Sequence, residues 1–291
     1  MRFLPNITVA LAFAMAAPIA PAAAEPLPPG FVSLFDGRTL AGWRGDPRVW
    51  SVRDGAISAT TDKALSHNTY LIHDSRFRNF EIRLKYRFLK EAGNSGLQFR
   101  SGLMEGDFVL GGLQANITPL PTENCGRPRC GPERFGMLYD ELSRQELVML
   151  GEQSTITRRQ MTTGGFGQIV RTVSGTTNPP ADILKAVHMA PEWNEVVVIA
   201  FEGRIVHAIN NMVLFDAHDN DPLAPTEGLI GLQAHADGAV DFQFKDIAIK
   251  PLDSFPDISG RFVYKLQTLA EPRASYRDVQ LSDGKLHVPA P

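Results

Sequence analysis

A chain of 291 residues, 43% of them hydrophobic, is long enough to bury the core of one large β domain or of two ordinary ones. Its 29 basic and 32 acidic residues leave a formal charge of -3, which sets up no field to gather nucleic acid or anionic lipid, so polyanion binding is not an expected function.

The N-terminus reads MRFLPNITVALAFAMAAPIAPAAAEPLPPG, with Arg2 as its one positive charge, an apolar run over 7–20, and small residues Ala22 and Ala24 before Glu25. This arrangement predicts a secretory signal peptide over 1–24, cleaved after Ala24, and a product in the periplasm or outside the cell. The apolar run is short, alanine-rich and broken by Pro18 and Pro21, so it does not read as a membrane anchor.

From Phe31 to Pro251 the chain is dense in short runs of period-two alternation, separated by Gly, Pro, Asn and Asp. FEIRLKYRFL places Phe80, Ile82, Leu84, Tyr86 and Phe88 on one face and Glu81, Arg83, Lys85 and Arg87 on the other, a strand packed on one side. ENCGRPRCGPE sets Cys125 and Cys130 in a loop-like stretch, where an exported chain would form a local disulfide clip; the further ligands that a zinc site needs are missing from the segment. Residues 118–180 interrupt the strand pattern and read as one long loop insertion, rich in Gly, Thr and Pro, with an ordered patch at GMLYDELSRQELVML. ADILKAVHM (Ala181 to Met189) is the best helix.

NEVVVIAFEGRIVHAINNMVLFDA predicts three strands joined by turns at Glu202-Gly203 and Asn210-Asn211. HDNDP (His218 to Pro222) carries enough oxygen ligands for calcium but reads more simply as a turn. DFQFKDIAIK alternates with one slip of register near Asp246, the mark of a bulge. The tail over 252–291 carries two weaker runs and is expected to pack on the preceding sandwich rather than fold alone. Many short strands with few helices predict an all-β antiparallel sandwich or barrel.

Gly-Leu-Gln occurs three times, as GLQFR, GLQAN and GLQAH. In a strand, residues i and i+2 share a face, which pairs Gln98 with Arg100, Gln114 with Asn116, and Gln233 with His235, while Leu97, Leu113 and Leu232 point to the core. Ordinary solvent faces favour Lys, Glu and Thr, so three strands carrying amides, a guanidinium and an imidazole suggest one shared site. Amides both donate and accept, which suits a hydroxyl-rich ligand such as a sugar. The flanking residues share nothing else and the spacing shows no period, so the copies are not an internal repeat. Trp43, Trp50 and Trp193 lie among alternating apolar residues and read as structural. The chain has no nucleophile elbow, zinc-binding helix, phosphate loop or dinucleotide fingerprint.

GFVSLFDGRTLAGWRG, WSVRDGAI, NFEIRLKYRF, GNSGLQFR, EWNEVVV, INN and GLIGLQAHADGAVDFQFKDIAI follow one another in an order that resembles the 3-keto-disaccharide hydrolase domain family. The resemblance covers about Gly30 to Pro251 and implies a concanavalin-like jelly-roll β-sandwich over 25–251. It implies action on glycosides already oxidised to a ketone at C3: a base removes the acidified C2 proton, the C1 oxygen leaves, and water adds back, giving a net hydrolase or a lyase. A divalent metal (Ca, Mn or Zn) is a possible assistant. On these residues His235 is the leading base or acid, with a structural histidine as the competing reading; Asp140 or Glu141 is the second proton carrier or a metal ligand. Arg100 and Gln98 would hold the ketone or enolate oxygen, and Asn94, Gln114, Asn116, Tyr139 and Gln233 would bind the sugar. The chain departs from the family where an acidic residue before Gln114 is replaced by Gly112, and where Lys245-Asp246 stands for Arg-Asn. A lectin-like carbohydrate-binding module, with no turnover, is the alternative function.

Overall fold

The alternation of FEIRLKYRF is realised as a nine-residue strand whose Phe80, Ile82, Leu84, Tyr86 and Phe88 are buried in the main core. The computed structural model describes residues 26–119, 131–160, 167–236, 238–278, 280–282 and 285–287. The expected signal peptide and the Cys125–Cys130 clip lie outside the described residues.

In chain order the first strands are β1 (Val32–Ser33), β2 (Trp43–Arg44), β3 (Trp50–Arg53), β4 (Ala56–Thr60), β5 (Thr69–Phe77), β6 (Phe80–Phe88), β7 (Ser95–Leu103) and β8 (Leu110–Ile117). They are followed by β9 (Leu138–Glu141), β10 (Gln145–Val148), β11 (Glu152–Arg159), β12 (Gln168–Thr176), the helix α1 (Pro180–Ala186), β13 (Asn194–Phe201), β14 (Arg204–Ile209) and β15 (Met212–Asp219). The last are β16 (Gly228–Ala234), β17 (Asp241–Pro251), β18 (Gln267–Asp278), β19 (Gln280–Ser282) and β20 (Lys285–His287).

Two large sheets form the lectin-like jelly-roll sandwich. The first runs β18-β12-β11-β15-β14-β13-β6-β17-β4-β3, with β1 added to β17; the second runs β10-β9-β8-β7-β16-β5-β2. Neighbours are antiparallel except β11 and β15, which run parallel. The core between the sheets gathers Trp50, Phe80, Ile82, Leu97, Phe99, Leu113, Val196, Val198, Leu232, Phe242 and Phe244. Leu97, Leu113 and Leu232 point inward, so the residues beside them face out of the sandwich on the second sheet.

Trp43 and Trp50 are core residues, and Trp193 is half-buried beneath Arg87 and Lys245, whose cationic centres lie 4.5 and 4.4 Å from its ring. Both expected two-residue turns close hairpins, with Glu202, Asn210 and Asn211 at positive φ, and the β17 slip is a bulge with Asp246 at φ 52°. The expected loop over 118–180 is instead largely strand in its described part: β9 and β10 extend the second sheet, β11 and β12 the first. Runs such as EQSTITRR alternate hydroxyls and charges with few large apolar residues, which hides a strand from a hydropathy pattern. The helix spans Pro180–Ala186, stopping short of the Met189 end expected. In the tail, Leu252, Phe255, Phe262 and Tyr264 cover a second cluster on the outer face of the first sheet, and β18 pairs with β12.

Candidate active site

The three Gly-Leu-Gln segments belong to three adjacent strands. Gln98 on β7 is the register partner of Gln114 on β8 and of Gly231 on β16, and Gln233 is the partner of Tyr70 on β5. Their glycines leave space for neighbours on this face: a Cβ at Gly96 would overlap the Gln114 side chain, one at Gly112 would meet Ser101 Oγ, and one at Gly231 would meet Leu110. Glycine is thus required here by close approach.

β9 adds two more groups. Leu138 enters the core, so alternation turns Tyr139 and Glu141 to the site face, where Tyr139 is the partner of Gln114 and Glu141 the partner of Gly112. A carboxylate therefore stands one strand away from the glycine that replaces the acid expected before Gln114. The end of the β7–β8 hairpin folds over the face: Phe108 O accepts from Tyr70 N, and Phe108 and Leu110 pack on Tyr70, Ile72 and Leu229. Through this cupping, Asn68 Nδ2 reaches Glu141 Oε1 at 3.3 Å, and Gln233 Nε2 donates to Tyr70 Oη at 3.1 Å. His235, just past β16, donates its backbone N–H to Asn94 O, while Ala236 N donates to Asn68 Oδ1. Asn68, Asn94, Tyr139, Glu141 and His235 are half-buried; Gln98, Gln114, Asn116 and Gln233 are buried.

The site is polar but held away from water. Burial pushes the Glu141 carboxyl up from its ordinary value, while the nearby His235 and hydrogen bonds from Asn68 and Gln233 pull it partly back. Burial, with the Glu141 charge added, raises the Tyr70 phenol, which stays neutral. Gln114 Oε1, Gln233 Oε1 and Asn94 Oδ1 are buried acceptors with no hydrogen-bond partner among the described residues. Unpaired buried acceptors cost roughly 1–3 kcal/mol each, and a hydroxyl-bearing ligand would relieve that cost. Gln98, oriented to satisfy its surroundings, donates to Leu113 O at 2.6 Å and Gly112 O at 3.3 Å, so it braces the β7–β8 pair from beneath.

Two residues expected here lie elsewhere. Arg100 does not share the Gln98 face: a bulge between Phe99 and Gly102, with Arg100 at φ 48°, breaks the i to i+2 rule and puts Ser101 beside Gln98 instead. The Arg100 side chain donates to Arg78 O at 2.8 Å, Glu202 O at 2.7 Å and Asn79 Oδ1 at 3.3 Å, tying two hairpin turns together; burial lowers its guanidinium to about 10. Asp140 points inward, opposite to Glu141, into a network with Arg144, Asp219, Asp221 and Arg158. That network also occupies the carboxylates of HDNDP, which bind arginines in the described structure. No group of three or more His, Cys, Asp or Glu among the described residues could hold a metal ion.

Sequence reasoning missed Asn68 and Tyr70. Tyr70 is the second residue of TYLIHDSRF, whose first five residues are all buried and so show no alternation to read, and Asn68 lies just before that strand. Arg144 was missed too, four residues beyond Asp140, where i to i+4 spacing signals contact only in a helix.

Comparison with known proteins places these residues in a family context. A curated 3-keto-disaccharide hydrolase from Bacteroides thetaiotaomicron is 24% identical over 264 residues, covering 77% of this chain and 79% of its own length. The crystal structure of a candidate glycosyl hydrolase from Parabacteroides distasonis superposes with a TM-score of 0.50 at 18% identity, covering 77% of this chain and 95% of its own. A second such protein from the same organism gives 0.48 at 20% identity, covering 76% and 99%. The profile of the family described as the 3-keto-alpha-glucoside-1,2-lyase-like domain matches residues 30–250, most of the chain, and the protein belongs to that family.

Proposed function

We propose that the protein is an exported enzyme that cleaves 3-keto-glycosides by removing the C2 proton and expelling the C1 oxygen. The observation that carries this reading is the convergence of two proton carriers, Glu141 and His235, on a face with three unpaired buried amide oxygens. Membership of the family and the activity named for the Bacteroides relative support the same substrate class.

In this mechanism the glycoside lies on the Gln114 and Gln233 face, its hydroxyls donating to Gln114 Oε1, Gln233 Oε1 and Asn94 Oδ1. The Glu141 carboxylate takes the C2 proton; its raised proton affinity favours that transfer. The electron pair left on C2 is shared with the C3 ketone as an enolate, whose oxygen receives hydrogen bonds from Tyr139 and the Gln114 amide. The pair then forms the C1=C2 bond as the C1–O bond breaks, and His235 donates a proton to the departing oxygen. Water then adds across C1=C2: its oxygen bonds to C1 as His235 takes its proton, and Glu141 returns a proton to C2, which completes net hydrolysis; release before hydration gives a lyase.

Incubation with 3-keto-α- and 3-keto-β-glucosides, with and without chelator, followed by NMR of the products, tests the reading. Conversion of a keto substrate supports it, and the chelator arm reports on a metal. Binding of sugars without conversion would instead assign the face to carbohydrate binding alone.

A further inference from the structure

Glu141 and Asp140 are neighbours on β9 whose side chains leave opposite faces. Glu141 meets Asn68 and Gln233, whereas Asp140 is 1% exposed and enters the interior. The turn from β9 to β10 carries Leu142 and Gln145 at φ 55° and 60°, a conformation that non-glycine residues adopt only when surroundings impose it. Between them Arg144 comes back from the turn to bind Asp140 and reaches across to the first sheet. Its terminal nitrogens meet Asp219 Oδ1 and Oδ2 at 2.9 and 2.8 Å and Asp221 Oδ2 at 3.2 Å. Arg158 on β11 closes the far end, holding both oxygens of Asp221 at 2.8 Å.

All five side chains are 3% exposed or less. Buried ion networks of this kind are often no more stable than apolar side chains of the same volume, so stability alone does not account for five buried charges. The network does join the strand bearing Glu141 to β15 of the opposite sheet. We propose that Asp140 and Arg144 are positioning residues that hold Glu141 at its place on the site face. This rests on the role given to Glu141 above.

Charged and titratable groups near Glu141 come from three elements: Asp140 on its own strand, Tyr70 on β5 and His235 after β16. Asp140 opposes ionisation of Glu141 by repulsion, and removing its charge also leaves Arg144 less neutralised; both changes favour the Glu141 carboxylate.

The test is a carbon-13 NMR titration of the Glu141 carboxyl in the full chain, assigned with Glu141→Gln, alongside the pH profile of kcat on a 3-keto-glucoside. Asp140→Asn is expected to lower the Glu141 midpoint by roughly one pH unit, with the acidic limb of kcat following. The double variant Asp140→Asn/Arg144→Gln, which leaves no unpaired cation at the turn, is expected to shift it less. A folded Asp140→Asn protein with lower thermal stability and an unmoved Glu141 midpoint would overturn the inference, as would failure of both variants to fold. If the wild type converts no 3-keto-glycoside while the midpoint still moves, the positioning inference stands and the enzymatic reading fails.

Discussion

Asn68 Nδ2 lies 3.3 Å from Glu141 Oε1, a contact that joins the loop entering β5 to the end of β9 across the cupped face of the second sheet. It fixes the carboxylate beside Gln233 and His235. Replacing Glu141 with Gln keeps shape and hydrogen bonding while removing the base. Turnover of a 3-keto-glucoside should fall by roughly 100-fold or more with KM changed little, a split that steady-state kinetics would read. Equal loss in kcat and gain in KM would point to a binding role instead.

Gly96→Ala tests whether the glycine opposite Asn116 makes room for Gln114. The added methyl would fall 2.3 Å from Cδ and 2.5 Å from Cγ of the buried Gln114 and force that side chain aside. Affinity for sugar should weaken by roughly tenfold, about 1.4 kcal/mol, and the melting temperature should fall with it, as calorimetry and a melting curve would show. Unchanged affinity would remove Gln114 from the sugar site.

Arg100→Met separates a bracing role from a catalytic one. Three hydrogen bonds from a buried guanidinium would be lost, leaving Arg78 O and Glu202 O without that donor. Stability should drop by roughly 2–4 kcal/mol in urea unfolding, and kcat of the folded fraction should stay within a few-fold of wild type. A collapse of kcat at full folding would return Arg100 to the chemistry.

His207 sits wholly buried on β14, its Nδ1 2.9 Å from Gly136 O, and burial drives its imidazole down to about 4 against the opposing effect of that bond. Between an ordinary value near 6.5 and about 4, the unfolded chain binds a proton that the folded protein does not. The stability from this site is therefore fully present above pH about 6.5 and is lost as pH falls toward 4, by roughly 3 kcal/mol in all. Denaturant titrations across that window should show the decline in the wild type and a flatter profile in His207→Gln; identical slopes would contradict it.

The three Gly-Leu-Gln strands were legible because period two is rigid: once Leu97, Leu113 and Leu232 are core, Gln98, Gln114 and Gln233 must share a face. Arg100 was not legible, since nothing in SGLQFRSG signals that the strand bulges between Phe99 and Gly102. The choice between Asp140 and Glu141 was within reach, because an inward Leu138 sends Asp140 inward with it, but it needed the strand assignment of LYDE that the reading of 118–180 as a loop withheld. Tyr70 reaches the site as the register partner of Gln233, with Asn68 just ahead of it on the chain, a pairing of distant strands that no local pattern records.

The most direct measurement follows a 3-keto-glucoside and its unoxidised parent in deuterium oxide by NMR, with wild type and Glu141→Gln. The predicted result is cleavage of the keto compound alone, deuterium at C2 of the hydrated product, and loss of both in the variant. Cleavage of the unoxidised glycoside, or undiminished cleavage of the keto compound by Glu141→Gln, would contradict the elimination mechanism built on Glu141 and His235.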